Sequence, residues 1–177
     1  MWSDLSLRTY FGNVVEGHPL GGKMAFFREA EAAQAMGTDK HVQVSSHFNL
    51  REFQCKGLYC CGNKAHVSIN LIKLLERIRA ACSKYAGEEV PVTVTSGYRC
   101  WEHNVALYEK YGDKPSHSKH CLGQAADIIV DYSKVPFPTF QALCRREVQK
   151  VQGGMGVYED SKFIHVDVAV YPPNRRW

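Results

Sequence analysis

Two short apolar segments, AADIIV at 125–130 and FIHVDV at 163–168, each carry an aspartate among residues that otherwise read as buried strand. An ionised carboxylate removed from water without a partner is costly. The fold therefore has to set Asp127 and Asp167 beside something cationic. Strand alternation puts Ala125, Asp127 and Ile129 on one face, with Ala126, Ile128 and Val130 on the other. In the later segment Phe163, His165 and Asp167 share a face, and Ile164, Val166 and Val168 take the opposite one. If the two strands are neighbours, Asp127 and His165 converge.

The rest of the chain supplies material to cover the apolar faces. SINLIKLLERIRAACSKYAG places Leu71, Leu74, Leu75, Ile78 and Cys82 at helical spacing, with Ser68 as N-cap and Gly87 as stop. The β-branched residues of VPVTVTSGYR predict a strand from Val90 ending at Gly97. Further helices are expected over 102–110 and 138–152, the latter with Pro138 in its first turn. A loop rich in Gly, Pro, His and Ser runs over 112–120, and MGVY followed by FIHVDVAV reads as a hairpin. Helices and strands mix without regular βαβ alternation, which predicts an α+β fold with a small, mostly antiparallel sheet flanked by helices. Residues 1–43, with a helical stretch over 24–36, read as an N-terminal extension packed on a domain spanning 44–177.

At 177 residues the chain suits one core. Its 45% hydrophobic and 23% charged content excludes collagenous, coiled-coil and extended disordered architectures. The apolar run at 125–130 is far shorter than the roughly 20 residues of a membrane-spanning helix, so no membrane insertion is expected. The N-terminus MWSDLSLRTYFG does not read as a secretory leader. The 22 basic and 18 acidic residues are scattered. No basic stripe interleaved with aromatics points to nucleic acid. A mild net charge of +4 is compatible with an anionic polymer such as cell wall.

A hydrolytic zinc site takes three nitrogen or oxygen ligands and leaves one position open. His120 precedes Asp127 by seven residues, with Gly123 between them as a point where the chain can turn sharply. With His165, these residues form a candidate metal set. A single strand histidine is more often a hydrogen-bonded structural residue, and the histidines at 18, 41, 47, 66, 103 and 117 are read that way first. The conjunction of two histidines with an aspartate in an apolar strand raises the weight of the functional reading.

SKHCLGQAAD at 118–127 and HVD at 165–167 resemble the SxHxxGxAxD and second metal motifs of the zinc D-Ala-D-Ala carboxypeptidases and related peptidoglycan peptidases. The likeness extends to SHFNLREFQC (46–55), the long helix and SGYRCWEHN (96–104), in the expected order over roughly 44–170. It is closest to the C-terminal-domain type found in bacteria and phages. The resemblance implies the hedgehog/DD-peptidase fold, with His120, Asp127 and His165 as ligands of Zn2+. It implies a peptidoglycan stem peptide as substrate, and Arg99 as the family arginine that binds a substrate carboxylate or stabilises an oxyanion. Ser118 and His117 are then substrate-contacting or catalytic candidates, and Asp167 orients a ligand or Arg99.

The expected acidic residue three positions before the last zinc histidine is replaced by Lys162. Glu159 is the favoured general base, with Asp160 and His117 as other candidates. The implied activity is a D,D-carboxypeptidase or endopeptidase, acting as a monomer and delivered by an export, phage or lysis route that the sequence does not specify. Two alternatives stand beside it: an inert, zinc-containing wall-binding or phage structural module, and a peptidase of ordinary L-configured dipeptides.

Seven cysteines cannot all pair within one monomer. Cys55, Cys60 and Cys61 with His66 approach a zinc-knuckle spacing but lack a second cysteine pair. A disulfide from Cys55 or Cys60 to Cys100 is an equal expectation. Cys82 and Cys144 are expected as buried thiols, and Cys121 lies outside the ligand pattern.

Overall fold

The computed structural model describes residues 42–58, 60–112, 114 and 118–169. The helix expected over 24–36, residues 1–41 of the N-terminal extension, and His117 lie outside the described residues.

Three α-helices, α1 (Ile69–Ala86), α2 (Trp101–Lys110) and α3 (Phe137–Gln149), accompany four strands, β1 (Thr93–Ser96), β2 (Ala125–Ile129), β3 (Met155–Tyr158) and β4 (Phe163–Asp167). The strands form one sheet in the order β1-β2-β4-β3, every neighbour antiparallel. The expected α+β class with an antiparallel sheet is thus observed.

Helix α1 begins where Ser68 Oγ accepts the N–H of Asn70 and stops at Gly87, whose φ of 73° lets its N–H turn back to Ser83 O. Between these caps Leu71, Leu74, Leu75, Ile78 and Cys82 form a buried stripe. Each large aliphatic side chain so covered contributes about 1.5–3 kcal/mol of transfer free energy. The stripe packs in one core with Phe140, Cys144 and Val148 of α3 and with Ala126, Ile128, Ile164 and Val166 of the sheet. One sheet face is therefore committed to packing. The other carries Asp127 and His165 and stays partly open.

Four boundaries differ from expectation for local reasons. Strand β1 starts at Thr93, not Val90, because the Val90 N–H is taken by Ser83 Oγ of α1 instead of a neighbouring strand. Helix α2 starts at Trp101, with Cys100 Sγ as the cap that accepts the His103 N–H. Helix α3 starts at Phe137 and ends at Gln149 instead of running to Gln152, whose φ of 55° is not helical. Strand β4 stops at Asp167, where the side-chain Oδ1 accepts the N–H groups of Gly154 and Ala169. No helix among the described residues is long and apolar enough to cross a membrane.

Candidate metal centre

Asp127 on β2 and His165 on β4 are direct cross-strand partners. Their side chains therefore emerge together on the open face. His120 arrives from outside the sheet, on a 3-10 turn over Lys119–Leu122. Ser118 caps that turn by accepting the His120 N–H, and Gly123 ends it with φ of 63°. A side chain at Gly123 would also collide with the His66 carbonyl, since a Cβ there would lie 2.6 Å from it. Glycine is needed at this position on both counts. The Gly123 carbonyl accepts the Ser68 N–H, which pins the turn to the start of α1.

The three side chains meet closely. His165 Nδ1 lies 2.9 Å from Asp127 Oδ1, and His120 Nε2 lies 3.3 Å from the same oxygen and 3.1 Å from His165 Nδ1. His120 Nδ1 stands 2.7 Å from the Gly97 carbonyl, which can only accept, so this nitrogen carries the proton and Nε2 presents a lone pair. His165 turns Nε2 toward Asp167 Oδ2 at 3.6 Å, leaving Nδ1 as the nitrogen that faces inward. Two imidazole nitrogens and a carboxylate oxygen thus converge on one spot, where a cation could replace the protons that otherwise hold them together. Two nitrogens and one oxygen within coordination reach, each histidine held from behind by an acceptor, fit a divalent ion of the zinc type.

The charges respond accordingly. Burial disfavours the charged imidazolium of His165, but bonds to Asp127 and Asp167 outweigh it and raise its pKa to about 9. Burial likewise opposes ionisation of Asp127, and the two histidines override it, holding the carboxyl well below the usual carboxylate range. Asp167 is also lowered, as the bonds from His165, Ala169 and Gly154 overcome its burial. His120 is 3% exposed, whereas the His165 side chain retains 21%, so the centre is approached from the His165 side.

The structure brings His120, Asp127 and His165 together and sets Asp167 behind His165. Arg99 follows β1, its N–H donating to the His120 carbonyl, and its Nε is buried with no hydrogen-bond partner among the described residues. Ser118 spends its oxygen on capping the turn. Glu159 and Asp160 are exposed in the turn between β3 and β4, and neither belongs to the converging donor group. Lys162, in the same turn at φ of 51°, holds its ammonium over the Phe137 ring, 4.9 Å from the centroid.

Two contributors escaped the sequence reading. The Gly97 carbonyl fixes the His120 tautomer, and a backbone oxygen has no sequence signature. Tyr158 stacks on Phe163, ring centroids 4.2 Å apart, and its phenol is raised by burial and then by the charge of Asp127. Alternation in the hairpin, which puts Tyr158 opposite Phe163 on the His165 face, was the available clue.

The cysteine expectations need correction. All seven cysteines are free, so no disulfide joins Cys55 or Cys60 to Cys100. His66 is not their companion: it packs edge-on against Tyr98, 4.7 Å between ring centroids. Cys100 instead joins Cys55, Cys60 and Cys61 in a second convergent group. Cys82 and Cys144 are buried thiols, as expected, with burial raising both.

The profile of the family described as Peptidase M15 matches residues 47–167. The peptidoglycan L,D-endopeptidase MepK of Escherichia coli (strain K12) is 32% identical over 91 residues, which cover 51% of this chain and 46% of that protein. MepK of Shigella flexneri matches to the same extent. The chain spans about half the length of these curated relatives. No solved structure matches it.

Proposed function

The chain belongs to the Peptidase M15 family, and from that premise we propose that it is a zinc-dependent peptidase that cleaves amide bonds in peptidoglycan stem peptides. The observation that carries this is the convergence of His120 Nε2, Asp127 Oδ1 and His165 Nδ1 on one spot. Among the possible bonds we favour internal ones, an endopeptidase over a D,D-carboxypeptidase, in line with the activity named for the two relatives.

His120, Asp127 and His165 would hold the ion. When bound, zinc supplies Lewis acidity that polarises a scissile carbonyl and brings the pKa of water toward about 7. Gly97 O and Asp167 keep the two imidazoles turned inward. Arg99, always charged and with an unsatisfied Nε, donates to a substrate carboxylate or to the oxygen that gains negative charge. Tyr158 and Phe163 offer an aromatic wall beside the His165 side of the centre. Glu159, at the turn directly after Tyr158, takes a proton from the attacking water on a carboxylate oxygen and returns it to the departing amine nitrogen. Its support is position: it follows Tyr158, which pairs with Phe163 on the His165 face, and its side chain is exposed.

Purified protein incubated with muropeptides, with and without chelator, tests the assignment by mass spectrometry of the products. Zinc-dependent cleavage within stem peptides or cross-bridges is expected. Release of terminal D-Ala alone would shift the assignment to a carboxypeptidase. Binding without any product would favour the inert wall-binding module, the reading that replacement of the usual acid by Lys162 favours.

A further inference from the structure

We propose that Cys55, Cys60, Cys61 and Cys100 form a second, structural zinc site, separate from the peptidase centre and independent of what that centre does. The four sulfur atoms all lie within 4.8 Å of one another. Cys55 Sγ is 3.7 Å from Cys60 Sγ, and Cys60 Sγ is 3.8 Å from Cys61 Sγ. A tetrahedral zinc with Zn–S bonds of about 2.3 Å places its sulfurs about 3.8 Å apart, whichever pair is chosen. A disulfide would need about 2.05 Å. The spacing is that of thiolates sharing an ion.

Nitrogen groups face two of the sulfurs. The Cys100 N–H donates to Cys55 Sγ at 3.4 Å, and the His103 N–H donates to Cys100 Sγ at 3.4 Å. His103 Nδ1 stands 3.3 Å from Cys55 Sγ. Cys100 caps the N-terminus of α2, and because burial pushes its thiol up, it is a cation among the sulfurs that would make it a thiolate. Backbone is held tightly around the group: a Cβ at Gly57 would lie 2.6 Å from Cys60 Sγ and 2.7 Å from the His103 ring, so only glycine lets the loop close on the sulfurs. Cys55 and Cys100 are buried, while Cys60 and Cys61 stand half-exposed on the side from which an ion would enter.

Such a site would clamp the loop after the 3-10 turn Leu50–Phe53 to the start of α2. Cys100 directly follows Arg99, and Gly97, whose carbonyl orients His120, lies three residues before it. The ion would therefore fix the turn that serves the peptidase centre while touching neither substrate nor ligands. Three of its thiolates lie within 55–61 and the fourth, Cys100, far along the chain, which explains why the sequence shows an incomplete knuckle and not the whole set.

Elemental analysis of the full chain, purified with zinc, is expected to give about two equivalents per chain. His120→Ala should retain one, and the double variant Cys60→Ser, Cys61→Ser should also retain one. A chelator should make the four clustered thiols reactive toward a thiol reagent in the native wild type, a measurement that requires no substitution. His120→Ala loaded with cobalt should show a thiolate-to-cobalt charge-transfer band. A single equivalent that disappears in His120→Ala, a disulfide between any two of the four cysteines on peptide mapping, or clustered thiols equally reactive with and without chelator would overturn the proposal.

Discussion

Asp167 stands behind His165, its Oδ2 3.6 Å from Nε2, while the opposite nitrogen of the same ring meets Asp127 at 2.9 Å. One imidazole thus bridges a carboxylate inside the centre and another behind it. The outer carboxylate sets which nitrogen faces inward.

Asp167→Asn preserves an oxygen for the Gly154 and Ala169 N–H groups but removes the charge that favours a proton on His165 Nε2. Zinc affinity is expected to fall about 10- to 100-fold. Competition with a chromophoric chelator measures it, and unchanged affinity would show that Asp167 serves only the end of β4.

Arg99→Lys keeps a positive charge but loses the planar fork of donors. If the guanidinium meets the oxygen that becomes negative, kcat on a muropeptide should drop about 100- to 1,000-fold with metal content unchanged. A change confined to KM would instead make Arg99 a binder of the ground-state substrate.

Position 162 points its side chain toward Phe137 and α3, not toward the ligands. Lys162→Met should therefore leave turnover unaltered while lowering the melting temperature through loss of the cation–π contact. Glu159→Gln should abolish most turnover without changing the zinc content. Parallel assays of the two variants decide which part of the hairpin turn takes part in the reaction, and full activity of Glu159→Gln removes that residue as base.

Acid stability should report a different carboxylate. Glu147 on α3 is 3% exposed and accepts Lys150 Nζ at 2.7 Å and Arg146 Nε at 3.0 Å, with Arg77 Nε at 3.7 Å. Burial pushes its pKa up, and Lys150 and Arg146 outweigh burial and bring it below its ordinary 4.5. A depressed folded-state pKa contributes stability that is present above the unfolded value and lost as pH falls through the folded one. Thermal melts should therefore show Glu147→Gln less stable than wild type at neutral pH, the difference narrowing below about pH 4.5. A gap that persists undiminished into strong acid would contradict this.

The long helix was legible because both of its ends carry cap chemistry and its interior repeats at one period. The register of Asp127 against His165 was half legible: alternation assigned each to its face, while adjacency of the strands had to be assumed. The order β1-β2-β4-β3 was not readable, since no local preference decides where a strand inserts. Starts and stops shifted wherever a side chain captured a backbone N–H, as Ser83 does for Val90 and Asp167 for Ala169. The four-sulfur group was hidden for a related reason: Cys100 joins residues far earlier in the chain only after β1 and α2 have been placed.

Because β4 lies between β2 and β3, the last of the described strands in chain order is the one that joins the others into a single sheet. A nascent chain released from the ribosome only as far as Tyr158 has the first two donors of the proposed metal centre but neither the third nor the ladder that aligns them. Long-range pairing of this sort is slow relative to local structure. If the centre acts as proposed, hydrolysis requires that synthesis has passed His165, which brings the third donor and the strand that aligns it with Asp127.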